Sequence, residues 1–91
     1  MFTGIVREIG TVDAVEGGDE GVRLRVRAPR TAPVTGLGDS VAIDGVCLTV
    51  EEVDGEALVF HAVPETVRRT AVGRLRVGEE VNVEPALRAG E

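Results

Sequence analysis

Tryptophan, tyrosine and lysine are absent from this chain of 91 residues, and its aromatic share of 2% is two Phe. Stacking on protein aromatics is therefore excluded as the way it holds a planar ligand or a nucleic-acid base. All ten basic residues are Arg, against 16 acids, for a net charge of −6, which argues against a phosphate-backbone partner. A single Cys rules out an internal disulfide and any multi-Cys zinc site. One His beside it leaves a metal site with one soft and one imidazole ligand at most. No apolar run approaches the roughly 18–20 residues of a membrane span, and no charged-then-apolar leader opens the chain. The expectation is one soluble, metal-free, cytoplasmic domain with no nucleic-acid and no membrane partner. An apolar share of 43% supplies a core, which has to be aliphatic.

The breakers fall at short, regular intervals: Gly17-Gly18, Gly36 to Gly38, Asp44-Gly45, Asp54-Gly55, Gly73 and Gly78. Between them lie runs rich in Val and Ile. Val22-Arg23-Leu24-Arg25-Val26-Arg27 alternates without a fault, the period of a strand with one face buried and one in water. Asp44-Gly45 and Asp54-Gly55 are the dipeptides that type I′ hairpin turns favour. The pattern predicts strands over 5–14, 22–27, 40–43, 47–53, 57–61 and 80–84, in a meander-like antiparallel order. Residues 64–73 differ: Pro64 suits a first helical turn, Glu65 sits near the positive end, and Gly73 closes the segment. This predicts a helix of about two turns. Residues 32–38 read as a loose loop. Short strands at this spacing with one helix argue for a small closed all-β barrel.

Few residues offer chemistry. Asp44 and Asp54 precede Gly and belong to turns, and Asp39 reads the same way. Arg23, Arg25 and Arg27 form the solvated face of a strand. His61 ends an apolar strand as a packed or surface side chain. A lone strand Cys is ordinarily buried and inert. Alternation nevertheless puts Cys47 and Thr49 together on one face, opposite Leu48 and Val50, as a small polar pair on an otherwise apolar surface. The residues alone support a site around Cys47, Thr49 and His61, and no phosphate loop, dinucleotide fingerprint, nucleophile elbow or metal motif.

Four blocks carry a resemblance. Met1-Phe2-Thr3-Gly4-Ile5-Val6 opens the chain. Gly38-Asp39-Ser40-Val41-Ala42-Ile43-Asp44-Gly45-Val46-Cys47-Leu48-Thr49-Val50 lies at its centre. Pro64-Glu65-Thr66-Val67-Arg68-Arg69-Thr70 precedes Gly73, and Val77-Gly78 precedes Val81-Asn82-Val83-Glu84. In order and spacing they resemble the N-terminal lumazine-binding barrel of the riboflavin synthase and lumazine protein family, over essentially the whole chain. The resemblance implies a six-stranded antiparallel Greek-key barrel with one short helix. It implies non-covalent binding of riboflavin, a flavin analogue or 6,7-dimethyl-8-ribityllumazine, without a metal. It places Gly4, Ile5 and Val6 against the ligand, Cys47 and Thr49 on its other side, and Ala62 and Val63 at the pyrimidine edge. Glu65 and Thr66 would meet the ribityl chain, His61 joins the ligand-binding set, and Cys47 is the candidate catalytic residue. His61 stands where the family usually has an acid, and Pro85 where a basic residue is common.

The family's synthase carries two such barrels per chain and dismutates two lumazines to riboflavin and a pyrimidinedione, at a site shared between barrels. The second barrel and the His-containing segment after the first are not in this sequence. The expectation is therefore a single domain over 1–91 acting as a free-standing lumazine-binding protein, paired as a homodimer. The alternative is the N-terminal half of a riboflavin synthase.

Overall fold

The computed structural model describes residues 7–86. Six strands form one closed barrel: β1 (Glu8–Gly18), β2 (Gly21–Arg27), β3 (Ser40–Ile43), β4 (Val46–Asp54), β5 (Ala57–Ala62) and β6 (Glu80–Pro85). Around the barrel the order is β1-β2-β5-β4-β3-β6, and β6 pairs with β1 to close it. Every neighbouring pair is antiparallel. The order is not a simple meander. β3, β4 and β5 are joined by hairpins, while β2 lies beside β5 rather than β3, which makes a Greek key.

Alternation sorts each strand into an inner and an outer face. Leu24, Val26, Val41, Ile43, Leu48, Val50, Leu58, Phe60, Val81 and Val83 point inward and are buried. Phe60, fully buried, is the one large ring in this aliphatic core among the described residues. On the outer face of β2, the predicted stripe is an ion-pair ladder. Arg23 reaches Glu52 at 3.1 Å and Glu51 at 3.5 Å. Arg25 meets Asp54 at 2.7 Å and Asp13 at 3.1 Å, and Arg27 meets Glu56 at 2.7 Å. The hydrogen bond to Asp54, then that to Asp13, raises the Arg25 pKa above its ordinary value. The register slips between Val12 and Ala14 on β1 and between Val50 and Glu52 on β4. Asp13 and Glu51, the extra residues at these bulges, both pair with β2 arginines.

The turns refine the sequence reading. Asp44 and Gly45 both have positive φ, 49° and 84°, as a type I′ turn requires. At the second hairpin Asp54 still pairs with Ala57, and Gly55, with φ of 61°, is the first turn residue. That is the Gly-first pattern of a II′ turn, one residue later than expected. β1 runs on to Gly18, which pairs with Gly21, so Asp19-Glu20 rather than Gly17-Gly18 makes the first hairpin. The expected strand start at Ile5 lies outside the described residues.

Two connections close the barrel ends. The segment read as a loose loop contains a 3₁₀ turn, Ala32–Val34, with Thr31 and Ala32 buried beneath it. The Asp39 carboxylate accepts from the Gly36 N–H at 2.8 Å and holds its far side. Helix α1 (Pro64–Arg69) is the expected short helix of about two turns, and it ends before Gly73. Thr70 ends it in extended conformation and caps a second 3₁₀ turn, Ala71–Arg74, accepting from the Val72 N–H at 3.2 Å. Gly73 lies inside that turn and not at a helix end. A Cβ there would stand 2.5 Å from the Val67 carbonyl oxygen, so only Gly lets the turn fold back on α1.

Candidate functional site

β4 is flanked by β3 and β5, and its outward side chains are the centre of the candidate site. Leu48 and Val50 enter the core, so Cys47 and Thr49 are turned out and exposed. This corrects the ordinary expectation of a buried Cys: period-2 alternation between two core aliphatics leaves it no inner position. Across β3, Thr49 pairs with Ser40 and Cys47 with Ala42. On the other side Val50 pairs with Phe60, so His61 follows one residue on, beside Thr49 and on the same outer face. His61 is exposed, pairs with Arg23 on β2, and its Nε2 lies 3.2 Å from the point where a Gly21 Cβ would stand. A side chain at Gly21 would run into the Ala62 carbonyl first and then crowd that ring.

Cys47, Thr49 and His61 are thus brought together on one wall. The surrounding face is mixed rather than apolar, because Ser40, Asn82 and Glu84 also belong to it. Past His61 the chain turns inward at Ala62, which is buried, and out again at Val63, which is 50% exposed. The Val63 carbonyl accepts from the Val67 N–H at 3.0 Å, the bond that opens α1. Glu65 pairs with Arg68 at 3.0 Å and Arg69 at 3.3 Å along the helix surface. Thr66 is half-buried, and its backbone carbonyl accepts from the N–H and the hydroxyl of Thr70. Glu65 and Thr66 therefore stand at one end of the wall, on the first turn of α1. Gly4, Ile5 and Val6, also expected at the ligand, lie outside the described residues.

Two features were not read from the sequence. Glu8, a buried acid at the start of β1, accepts from the Thr31 N–H at 2.6 Å and the Arg30 N–H at 3.0 Å. Its alternation with Gly10 and Val12 placed it inward, the one available signal. The second is a row across the outer face: Glu84 pairs with Ala42, and Ala42 with Cys47. Only strand register reveals it. Among the described residues, no group of three or more His, Cys, Asp or Glu could hold a metal ion. No helix among them is long and apolar enough to cross a membrane.

A closed six-stranded Greek-key barrel with a small polar wall beside a short helix defines the class by fold, and comparison with known proteins gives the family. The family model of the lumazine binding domain matches residues 3–86, and the chain belongs to that family. It is 44% identical over 92 residues to the riboflavin synthase of Mycobacterium bovis, 38% over 92 residues to that of Chlamydia pneumoniae, and 39% over 88 residues to that of Schizosaccharomyces pombe. These alignments take in 99%, 100% and 96% of this chain but 45%, 46% and 42% of the relatives. The chain spans less than half the length of the curated relatives it matches.

Proposed function

We propose that this chain is the lumazine-binding N-terminal half of a riboflavin synthase, forming one domain over residues 1–91. The observation that carries the reading is full coverage of the chain by synthase relatives, of which it spans less than half. One 6,7-dimethyl-8-ribityllumazine, or riboflavin as product, would lie over Cys47 and Thr49. The Val63 N–H and the backbone at Ala62 would meet the pyrimidine edge. His61 would flank the ring, while Glu65 and Thr66 would meet the ribityl chain, with Gly4, Ile5 and Val6 covering the other side.

Such a ring needs few polar groups if they are well placed, and backbone edges and a hydroxyl supply them without aromatic stacking. Thr49 can donate and accept at a ring edge. Cys47 is the candidate for a chemical role. Dismutation transfers a four-carbon unit between two lumazines, so two half-sites must face each other, and holding the reactants in register is a large part of the catalysis. A second barrel of the same fold supplies the other half. Offered alone, this barrel pairs with a copy of itself, in the cytoplasm, as a symmetric dimer.

The test is a titration of the 91-residue chain with riboflavin and with 6,7-dimethyl-8-ribityllumazine, followed by ligand fluorescence, beside an assay for riboflavin formation. Binding of one ligand per barrel with absent or very slow turnover is expected. A flat titration on folded protein up to high micromolar ligand overturns the binding reading. Turnover at the rate of an intact two-barrel synthase overturns the half-site reading.

A further inference from the structure

Arg7 Nη2 lies 3.5 Å from Glu84 Oε1, and the Glu84 side chain is only 21% exposed. Register places this pair in the candidate site's own row. Glu84 on β6 is opposite Ala42 on β3, and Ala42 is opposite Cys47 on β4. Two strand spacings separate Glu84 from Cys47, roughly 10 Å between Cα atoms. Between them the side chain is a single methyl, that of Ala42, on the outer face yet only 7% exposed.

A planar ligand over Cys47 and Thr49 meets α1 and Val63 on the β5 side. Among the described residues its opposite edge faces β3, whose outward side chains, Ser40 and Ala42, are both short. The first long side chain on that path is Glu84. It is paired with Arg7 and set back among its neighbours, so moving it aside means breaking a contact whose carboxylate side is partly removed from water. We propose that the Arg7–Glu84 pair is the far wall of the ligand face and sets the length of the ring system that the face admits. The proposal rests on the reading of Cys47 and Thr49 as ligand contacts. Under it a bicyclic lumazine ends above Ala42, whereas the additional fused ring of a flavin presses on the pair.

The test compares dissociation constants for 6,7-dimethyl-8-ribityllumazine and riboflavin by fluorescence titration of the full chain and its variants. Glu84→Ala shortens the wall and is expected to shift the affinity ratio at least fivefold toward riboflavin. Ala42→Val raises the floor under the outer ring edge and is expected to shift the ratio the other way. Arg7→Ala, at a side chain 62% exposed, is expected to act in the same direction as Glu84→Ala and replaces it if that variant is poorly folded. Both ligands bound with a ratio unchanged within twofold in all variants overturns the wall and leaves the binding reading intact. Failure of the parent chain to bind either ligand overturns that reading, and the wall with it.

Discussion

The Thr31 N–H donates to Glu8 Oε1 at 2.6 Å, joining the first strand to the plug of the barrel across 23 positions of sequence. The same carboxylate accepts from Arg30, so one buried side chain satisfies two backbone donors where no strand continues. Glu8→Ala is expected to cost about 1.5–3 kcal/mol, because both donors lose a charged acceptor and one is buried. Glu8→Gln, which keeps one acceptor oxygen, should fall between. Urea midpoints measure both, and a Glu8→Ala midpoint equal to the parent's removes the carboxylate from the account.

The hydroxyl of the same Thr31 is buried without a hydrogen-bond partner among the described residues. Thr31→Val keeps the shape and the backbone bonds while replacing an unsatisfied polar atom by a methyl. A gain of about 1 kcal/mol is expected, the sign opposite to that of most core changes. Thermal unfolding decides it: a lower melting temperature would mean that the hydroxyl is hydrogen-bonded in solution.

Gly73 has a steric role that Gly78, at positive φ in open space, does not share. Its added Cβ would meet the Val67 carbonyl at 2.5 Å and Val67 Cγ1 at 2.8 Å, so Gly73→Ala should cost about 1–3 kcal/mol by forcing the 3₁₀ turn off α1. Val72, buried beneath that turn, should lose protection with it. Amide hydrogen exchange at Val72 checks this, and parent-like protection in a fully stable variant refutes it.

Thr49 and Cys47 separate binding from chemistry. Thr49→Val keeps shape and strand propensity but deletes the hydroxyl, and should weaken ligand binding by about 1–2 kcal/mol, roughly 5–30-fold. Since Thr49 is exposed, stability should not change. Cys47→Ser should be mild for affinity, and any turnover measured with a complementary barrel should follow it. Parent-like affinity in Thr49→Val moves the ligand off this face.

Much of this was legible in the residues. The alternation from Val22 to Arg27 marks β2 and its two faces, and Asp44-Gly45 marks a turn whose φ angles leave little choice. The partners were not legible. Nothing in β2 says that it lies beside β5, because any aliphatic strand offers the same inner face. Thr31 and Ala32, small residues in a polar stretch, read as loop since their burial depends on the strands around them. Gly73 read as a helix stop because local signals cannot distinguish a terminus from a close approach. In the site, the grouping of Cys47 with Thr49 follows from period 2 alone. The Glu84–Ala42–Cys47 row needs the register of three strands, which no single segment encodes.

Pairing of β1 with β6 also bears on how the chain can be re-engineered. Arg7 and Glu84 touch, so the two ends of the described chain meet at one place on the surface. A linker that keeps residues 1–6, with the proposed ligand contacts Gly4, Ile5 and Val6, would join them, and the exposed Asp19-Glu20 turn offers a place to reopen the chain. A circular permutant made in this way would keep every strand pairing of the barrel. Its new ends would stand next to Gly21 and His61, so a reporter group attached there would lie beside the candidate site.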